Sequence, residues 1–172
     1  MVVMPTALYE TPVDWLIFEV AAWCVGGFLT LSDRDEFEIT LPTVKNFLGR
    51  FAGSVKIPDL AFTPFVNGRT GAYPSVVLEC GSERSGMHGF DTQLWQEGTA
   101  GAVKVVLWVQ LLELEIGKQM SATLMICRCH LDGSIEKTLL FRQNRWRIRS
   151  SQLMNYLLAT PRLDLIQRHT SR

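Results

Sequence analysis

Neither charge is in surplus in this sequence. Its 17 lysines and arginines balance 17 aspartates and glutamates, so overall charge gives no case for a nucleic acid or a membrane. Cysteine is scarce at four residues (Cys24, Cys80, Cys127 and Cys129), too few for a disulfide-stapled secreted scaffold. Met1 to Pro12 lacks the basic start of a secretory signal. The most apolar stretch, Trp15 to Leu29, contains Glu19 and a Gly26-Gly27 pair. It falls short of the roughly 20 residues that a spanning helix needs. No internal repeat, low-complexity linker or phosphate loop of the G-x-x-x-x-G-K type is present. His88 and His169 have no nearby nucleophile with an orienting acid, so no catalytic triad is assigned. These absences lead us to expect an intracellular protein, of cytoplasm or nucleus, with no membrane partner.

What is present describes one globular domain over residues 1–172. Hydrophobic residues make up 47% and charged residues 20%, enough apolar material for a real core. The charge is unevenly spread. From Lys137 onward there are eight basic residues and one acid, Asp164, so segment 137–172 carries +7 and the remainder −7. Such asymmetry suits an anionic partner, and equally a solvated basic face.

Periodicity and punctuation predict an α/β order. Pro12 to about Val25 reads as a helix, with Thr11 as its cap and Pro12 at the first helical position, where a missing N–H costs nothing. Phe37 to Thr43 alternates and reads as a strand, and Val44 to Phe51 is either a strand or a short helix. Val55 to Phe62 is a strand entered through Pro58, and Thr63 to Tyr73 is a loop. Pro74 to Gly81 is an apolar strand, Phe90 to Glu97 a helix with Phe90, Leu94 and Trp95 turned inward. Val103 to Leu114 and Ala122 to His130 are further strands, and Ser150 to Ala159 a terminal helix. A helical crossover between strands requires at least one parallel pairing, and continuous apolar runs fit strands covered on both faces.

Two carboxylates stand out, Asp59 and Glu79, each on a short strand among apolar residues. A buried carboxylate needs a metal, a cation or hydrogen bonds. If the two strands pair, the acids converge at one end of the sheet. Together with a backbone carbonyl, that of Cys80, they make a hard oxygen site suited to Mg²⁺ or Mn²⁺. An ion there activates water and offsets charge on a phosphodiester. The structural alternatives are a turn cap for Asp59 and a strand-end ion pair with Arg84 or Lys104 for Glu79.

Pro58-Asp59, followed some twenty residues later by a strand ending in Glu79-Cys80-Gly81, resembles the PD-(D/E)xK nuclease motif. The Ser82-Glu83-Arg84-Ser85 turn, Asp91 and Trp95 on a helix, and the Val103-Lys104-Val105-Val106-Leu107 strand extend the likeness over Val55 to Leu111. This run is similar to a group of fungal proteins of unknown function with a restriction-endonuclease-like fold, and more distantly to a broad bacterial group. The resemblance implies a mixed central sheet flanked by helices and a metal-dependent nuclease. The family's lysine, two residues after the second acid, is Gly81 here, and the following helix offers only Gln93 and Gln96. Lys104, a charge in an otherwise apolar strand, is the first candidate for the catalytic cation, with Lys56 and Arg84 behind it. Without such a lysine the chain reads as an inactive binding or interaction module of the same fold. A third reading is an oligomeric interaction protein whose five tryptophans serve an interface between copies.

Other features are weaker. Glu19 reads as an acid on a solvated helix face, and Asp91 as a helix-start carboxylate favoured by the dipole. Cys127-Arg128-Cys129-His130 puts two thiols on one strand face, but no second ligand pair completes a zinc site, so both read as buried strand cysteines. Arg142, Arg145, Arg147 and Arg149 form a basic stripe if their segment is extended, a candidate surface for nucleic-acid phosphates.

Overall fold

A computed structural model describes residues 6–82, 88–115, 119–130 and 134–143. It is a mixed α/β arrangement built on one seven-stranded sheet. In chain order the elements are α1 (Thr6–Val25), α2 (Leu31–Arg34), β1 (Phe37–Thr40), a 3-10 turn (Gly49–Phe51), β2 (Leu60–Val66), β3 (Arg69–Thr70), β4 (Val76–Ser82), α3 (His88–Gln96), β5 (Val105–Glu115), β6 (Gln119–Cys129) and β7 (Ile135–Gln143). The sheet runs β1-β2-β4-β5-β6-β7, with β3 added to β2.

Among the described residues only β4 and β5 pair in parallel, from Val76 opposite Val105 to Ser82 opposite Leu111. Helix α3 lies between them in the chain, which is the crossover that the sequence required. All other pairings are antiparallel. Side chains on these strands alternate between two apolar layers. Leu78, Val105, Leu107, Val109, Leu124 and Ile126 pack with Leu16 of α1. Val77, Val106 and Cys127 pack on the other side with Leu94 and Trp95 of α3, and with Val44, Phe47 and Phe51. The central strands are therefore covered on both faces, which is why they read as continuous apolar runs.

Several expectations need correcting. Helix α1 begins at Thr6, so Thr11 is not its cap, and Pro12 lies inside it. An interior proline forgoes one hydrogen bond of the helical ladder. The segment read as a loop from Thr63 to Tyr73 instead continues β2 and turns back into β3. Asn67 and Gly68 both adopt positive φ (54° and 72°), the backbone that a two-residue hairpin requires. Strand β7, not assigned from sequence, pairs with β6 across a register shift at Leu124/Met125. Leu94 and Trp95 do face inward, but Phe90 is 54% exposed. The expected terminal helix at 150–159 lies outside the described residues. No helix among the described residues is long and apolar enough to cross a membrane.

Candidate functional site

The site begins with how Lys56 is held. Val44 and Lys56 exchange both backbone hydrogen bonds, each 2.9 Å, in an isolated antiparallel bridge. Partners in such a bridge share a face, and Val44 is buried in the α3-side layer. The Lys56 side chain is thereby sent toward the gap between α3 and the sheet, where its ammonium lies 3.4 Å from Glu79 Oε2 and 3.1 Å from Asp91 Oδ2. Tyr73 ties this stretch down further by donating its hydroxyl to the Asn46 carbonyl.

Two residues after Lys56, Pro58 has no amide hydrogen to give, and the hydrogen bonds to β4 start at Asp59. The Asp59 N–H donates to the Leu78 carbonyl at 3.1 Å, and its Oδ2 accepts from the Cys80 N–H at 2.6 Å. Asp59 therefore grips the residues on both sides of Glu79. Since Leu60 pairs with Leu78, Asp59 stands one register step on, beside Glu79. The two acids expected from sequence are brought together at one end of β2.

Glu79 points to the α3 side, where the Trp95 indole N–H donates to Oε1 at 2.7 Å. Asp91 and Trp95 are four residues apart on α3, so both face the sheet, where Asp91 meets Lys56 and Trp95 meets Glu79. Asp91, expected as an ordinary helix-start acid, is buried and ion-paired. The Asp91–Trp95 spacing was the available signal for it.

Two carboxylates, Glu79 and Asp91, thus share one ammonium, and Asp59 lies near enough to feel its charge. Glu79 and Asp91 are buried, whereas Lys56, its side chain 24% exposed, and Asp59 are partly accessible. Burial pushes Glu79 up to about 7, with Lys56 and the Trp95 hydrogen bond opposing the shift. Burial likewise raises Asp59 against the Cys80 amide and Lys56. For Lys56 burial disfavours the charge, but Glu79 and Asp91 outweigh it and hold the ammonium above its ordinary value. Burial and the nearby Asp59 and Glu79 charges push the Cys80 thiol up, so it is no nucleophile at neutral pH.

The Glu79 shift has a stability consequence. A carboxyl raised in the folded state contributes stability that is complete below its ordinary value of 4.5 and is lost as pH rises through about 7. The loss is of order 3 kcal/mol at most, from 1.36 kcal/mol per pKa unit. Lys56, raised from 10.5, acts only at alkaline pH and leaves this window flat. Glu79→Gln should therefore lose much of the fall in melting temperature between pH 5 and pH 8. Parallel wild-type and variant slopes in thermal denaturation would contradict this.

Lys104 does not join the acids. It is exposed, its N–H donates to the Ser75 carbonyl, and it precedes by four residues Trp108, the partner of Glu79 on β5. Four residues of strand span about 13 Å, so the charge that looked anomalous in an apolar strand lies at its solvated start. Glu19 is not on a solvated face either. It is 3% exposed, accepts from Trp15 Nε1 at 3.1 Å, and burial raises its carboxyl. It lies on α1, whose Leu16 packs against the opposite face of the sheet from α3. Cys127 is a buried core thiol that takes a 3.9 Å contact from the Thr92 hydroxyl. Arg142 lies on β7 opposite Thr123. Arg84, Arg145, Arg147 and Arg149 are outside the described residues.

The donors suit a hard cation in chemistry, since Asp59, Glu79 and the Cys80 carbonyl are all oxygen ligands. They fall short in number. Among the described residues no group of three or more His, Cys, Asp or Glu side chains is placed to hold a metal. Both Glu79 oxygens are also engaged, Oε1 by Trp95 and Oε2 by Lys56. For Glu79 to ligate an ion, Lys56 must release Oε2, and Asp91 at 3.1 Å is there to keep it. No protein-family model, curated protein or solved structure matches the chain.

Proposed function

We propose that the chain is a metal-dependent nuclease of restriction-endonuclease-like architecture in which Lys56 takes the place left by Gly81. The observation that carries this reading is the Lys56 ammonium 3.4 Å from Glu79, in the group that also contains Asp59. Acid, acid and lysine meet although the lysine comes from before the first acid. Asp59, Glu79 and the Cys80 carbonyl would hold one Mg²⁺ or Mn²⁺, which when bound supplies Lewis-acid stabilisation of phosphate charge and an acidified water. The chain's own groups do the rest. Asp59 fixes the Glu79 strand through its bonds to Leu78 and Cys80. Trp95 orients the Glu79 carboxylate. Lys56, held by Asp91, offers a proton-bearing cation to a phosphate oxygen or to the attacking water.

Cleavage of plasmid and of single-stranded DNA and RNA, with Mg²⁺ or Mn²⁺, tests the proposal. Wild-type protein should cut and Asp59→Ala should not. Activity that survives Asp59→Ala means that another site, or a contaminant, does the cutting.

A second reading has a specific observation behind it. Both Glu79 oxygens already have partners, and the cluster is compensated without a metal. A protein that binds nucleic acid in a salt-dependent way but never cuts it fits an inactive module of the same fold.

A further inference from the structure

We propose that Phe90 is a stacking platform for an unpaired nucleobase, so that the substrate at this site is a single strand and not a duplex. This rests on the nuclease reading above. Phe90 immediately precedes Asp91, the residue that holds Lys56, yet it is turned outward and 54% exposed. Its ring meets Phe51 edge-on, with centroids 5.6 Å apart and planes at 70°. Phe51 is itself buried and carries the Arg50 guanidinium 4.7 Å from its ring centre. Arg50 is in turn anchored by Gln93 of α3 at 3.1 Å and by Glu97, just after that helix, at 2.7 Å. The Phe90 ring is therefore propped from one side by a fixed support, and its remaining surface faces solvent.

On the other segment beside the ammonium, Ile57 follows Lys56 and is 57% exposed. Exposed apolar residues thus sit next in sequence to both Lys56 and Asp91. A duplex offers such side chains only sugar and phosphate, because its bases are stacked and paired inside. An unpaired strand offers the flat face of a base, which an aromatic side chain binds without regard to sequence. The reacting groups favour the same substrate. Glu79 and Asp91 are only 6% and 7% exposed, and Lys56 24%, so the phosphate must reach into a recess. A flexible strand does this more readily than a stiff double helix.

The test is fluorescence anisotropy on the full chain. The probes are a labelled oligothymidylate of about ten nucleotides, a length within the usual site size of single-strand binders, and a duplex of equal length, with Ca²⁺ replacing Mg²⁺. The single strand should bind more tightly than the duplex. Phe90→Leu keeps an apolar side chain over Phe51 but removes the π face, and should weaken single-strand binding about 5- to 150-fold, the fold-change equivalent of about 1–3 kcal/mol per stacked base. Phe90→Trp should keep the affinity, and the salt dependence should be the same in all three proteins because no cation has been removed. Unfolding curves for the two variants exclude loss of fold as the cause. Equal single-strand affinity of Phe90→Leu and wild type, tighter binding of the duplex, or binding of neither probe overturns the proposal. Cleavage that needs Asp59 while Phe90→Leu binds normally removes the platform and leaves the nuclease. Phe90-dependent binding without cleavage under either metal does the reverse.

Discussion

Lys56→Met should reduce Mg²⁺-dependent cleavage by about 10²–10³-fold, the usual effect of removing one preorganised group that meets developing charge. Lys104→Ala should leave the rate essentially unchanged. The difference follows from placement. Lys56 lies 3.4 Å from Glu79 and 3.1 Å from Asp91, whereas Lys104 sits at the far, exposed start of β5. Methionine keeps most of the alkyl stem, so the loss is one of charge and not of packing. It leaves Glu79 and Asp91 side by side without their cation, and removing one partner of a buried pair costs about 3–5 kcal/mol. The lower end is expected here, because Lys56 is partly accessible and Glu79 can take up a proton at neutral pH. Without the Lys56 charge that opposed its shift, Glu79 is raised above the wild-type value of about 7, so the variant should recover stability as pH falls and Glu79 becomes neutral. Single-turnover cleavage at pH 8 and urea unfolding at pH 6 and pH 8 are the measurements. Full activity in Lys56→Met, or a dead Lys104→Ala, would assign the cation to the wrong lysine.

Trp95→Ala should destabilise the protein by about 3–5 kcal/mol, the range for deleting a large buried aromatic ring. That is a large part of the 5–15 kcal/mol by which domains are usually stable. The ring is wholly buried and packs edge-on against Phe47 at 5.5 Å. Trp95→Phe separates packing from polarity. It keeps an aromatic ring but takes away the N–H donated to Glu79 Oε1, which costs about 1–3 kcal/mol for a buried acceptor left unpaired. It should also raise the Glu79 carboxyl further, since the lost bond favoured the charged form. The acid limb of the pH–rate profile then moves to higher pH. In a Glu79→Gln background Trp95→Phe should no longer change the pH dependence of stability. A Trp95→Phe protein with wild-type stability and an unmoved pH profile would mean that this hydrogen bond does not govern the carboxylate.

Asp59 and Glu79 were legible in the chain because each is a charge set in a short apolar strand, and those strands are near neighbours in sequence and in the sheet. Lys56 stood in the sequence only as one of several substitutes. Its direction is set by a bridge to Val44, twelve residues earlier, in a stretch that reads equally as strand or helix. Lys104 drew attention for its apolar neighbours, but alternation along a strand does not say where the strand enters solvent. Phe90 was turned inward by helical periodicity, which fixes which residues share a face and leaves open how wide the buried face is. The Asn67-Gly68 hairpin was a readable signal, hidden because Pro64 and the glycines nearby suggested a loop.

The sequence by itself determined the alternation of strands with a helical crossover, the apolar strands buried on both sides, and the two acids that converge. These depend on periods of 2 and 3.6 residues and on the cost of burying charge, which act over a few residues at a time. The tertiary structure alone decided which cation meets those acids, that Asp91 and Trp95 complete the cluster, and that Glu19 is buried on α1 away from it. Each of these follows from pairing register and layer packing between segments distant in the chain, and a one-residue shift in register would have sent the same side chains to the other face.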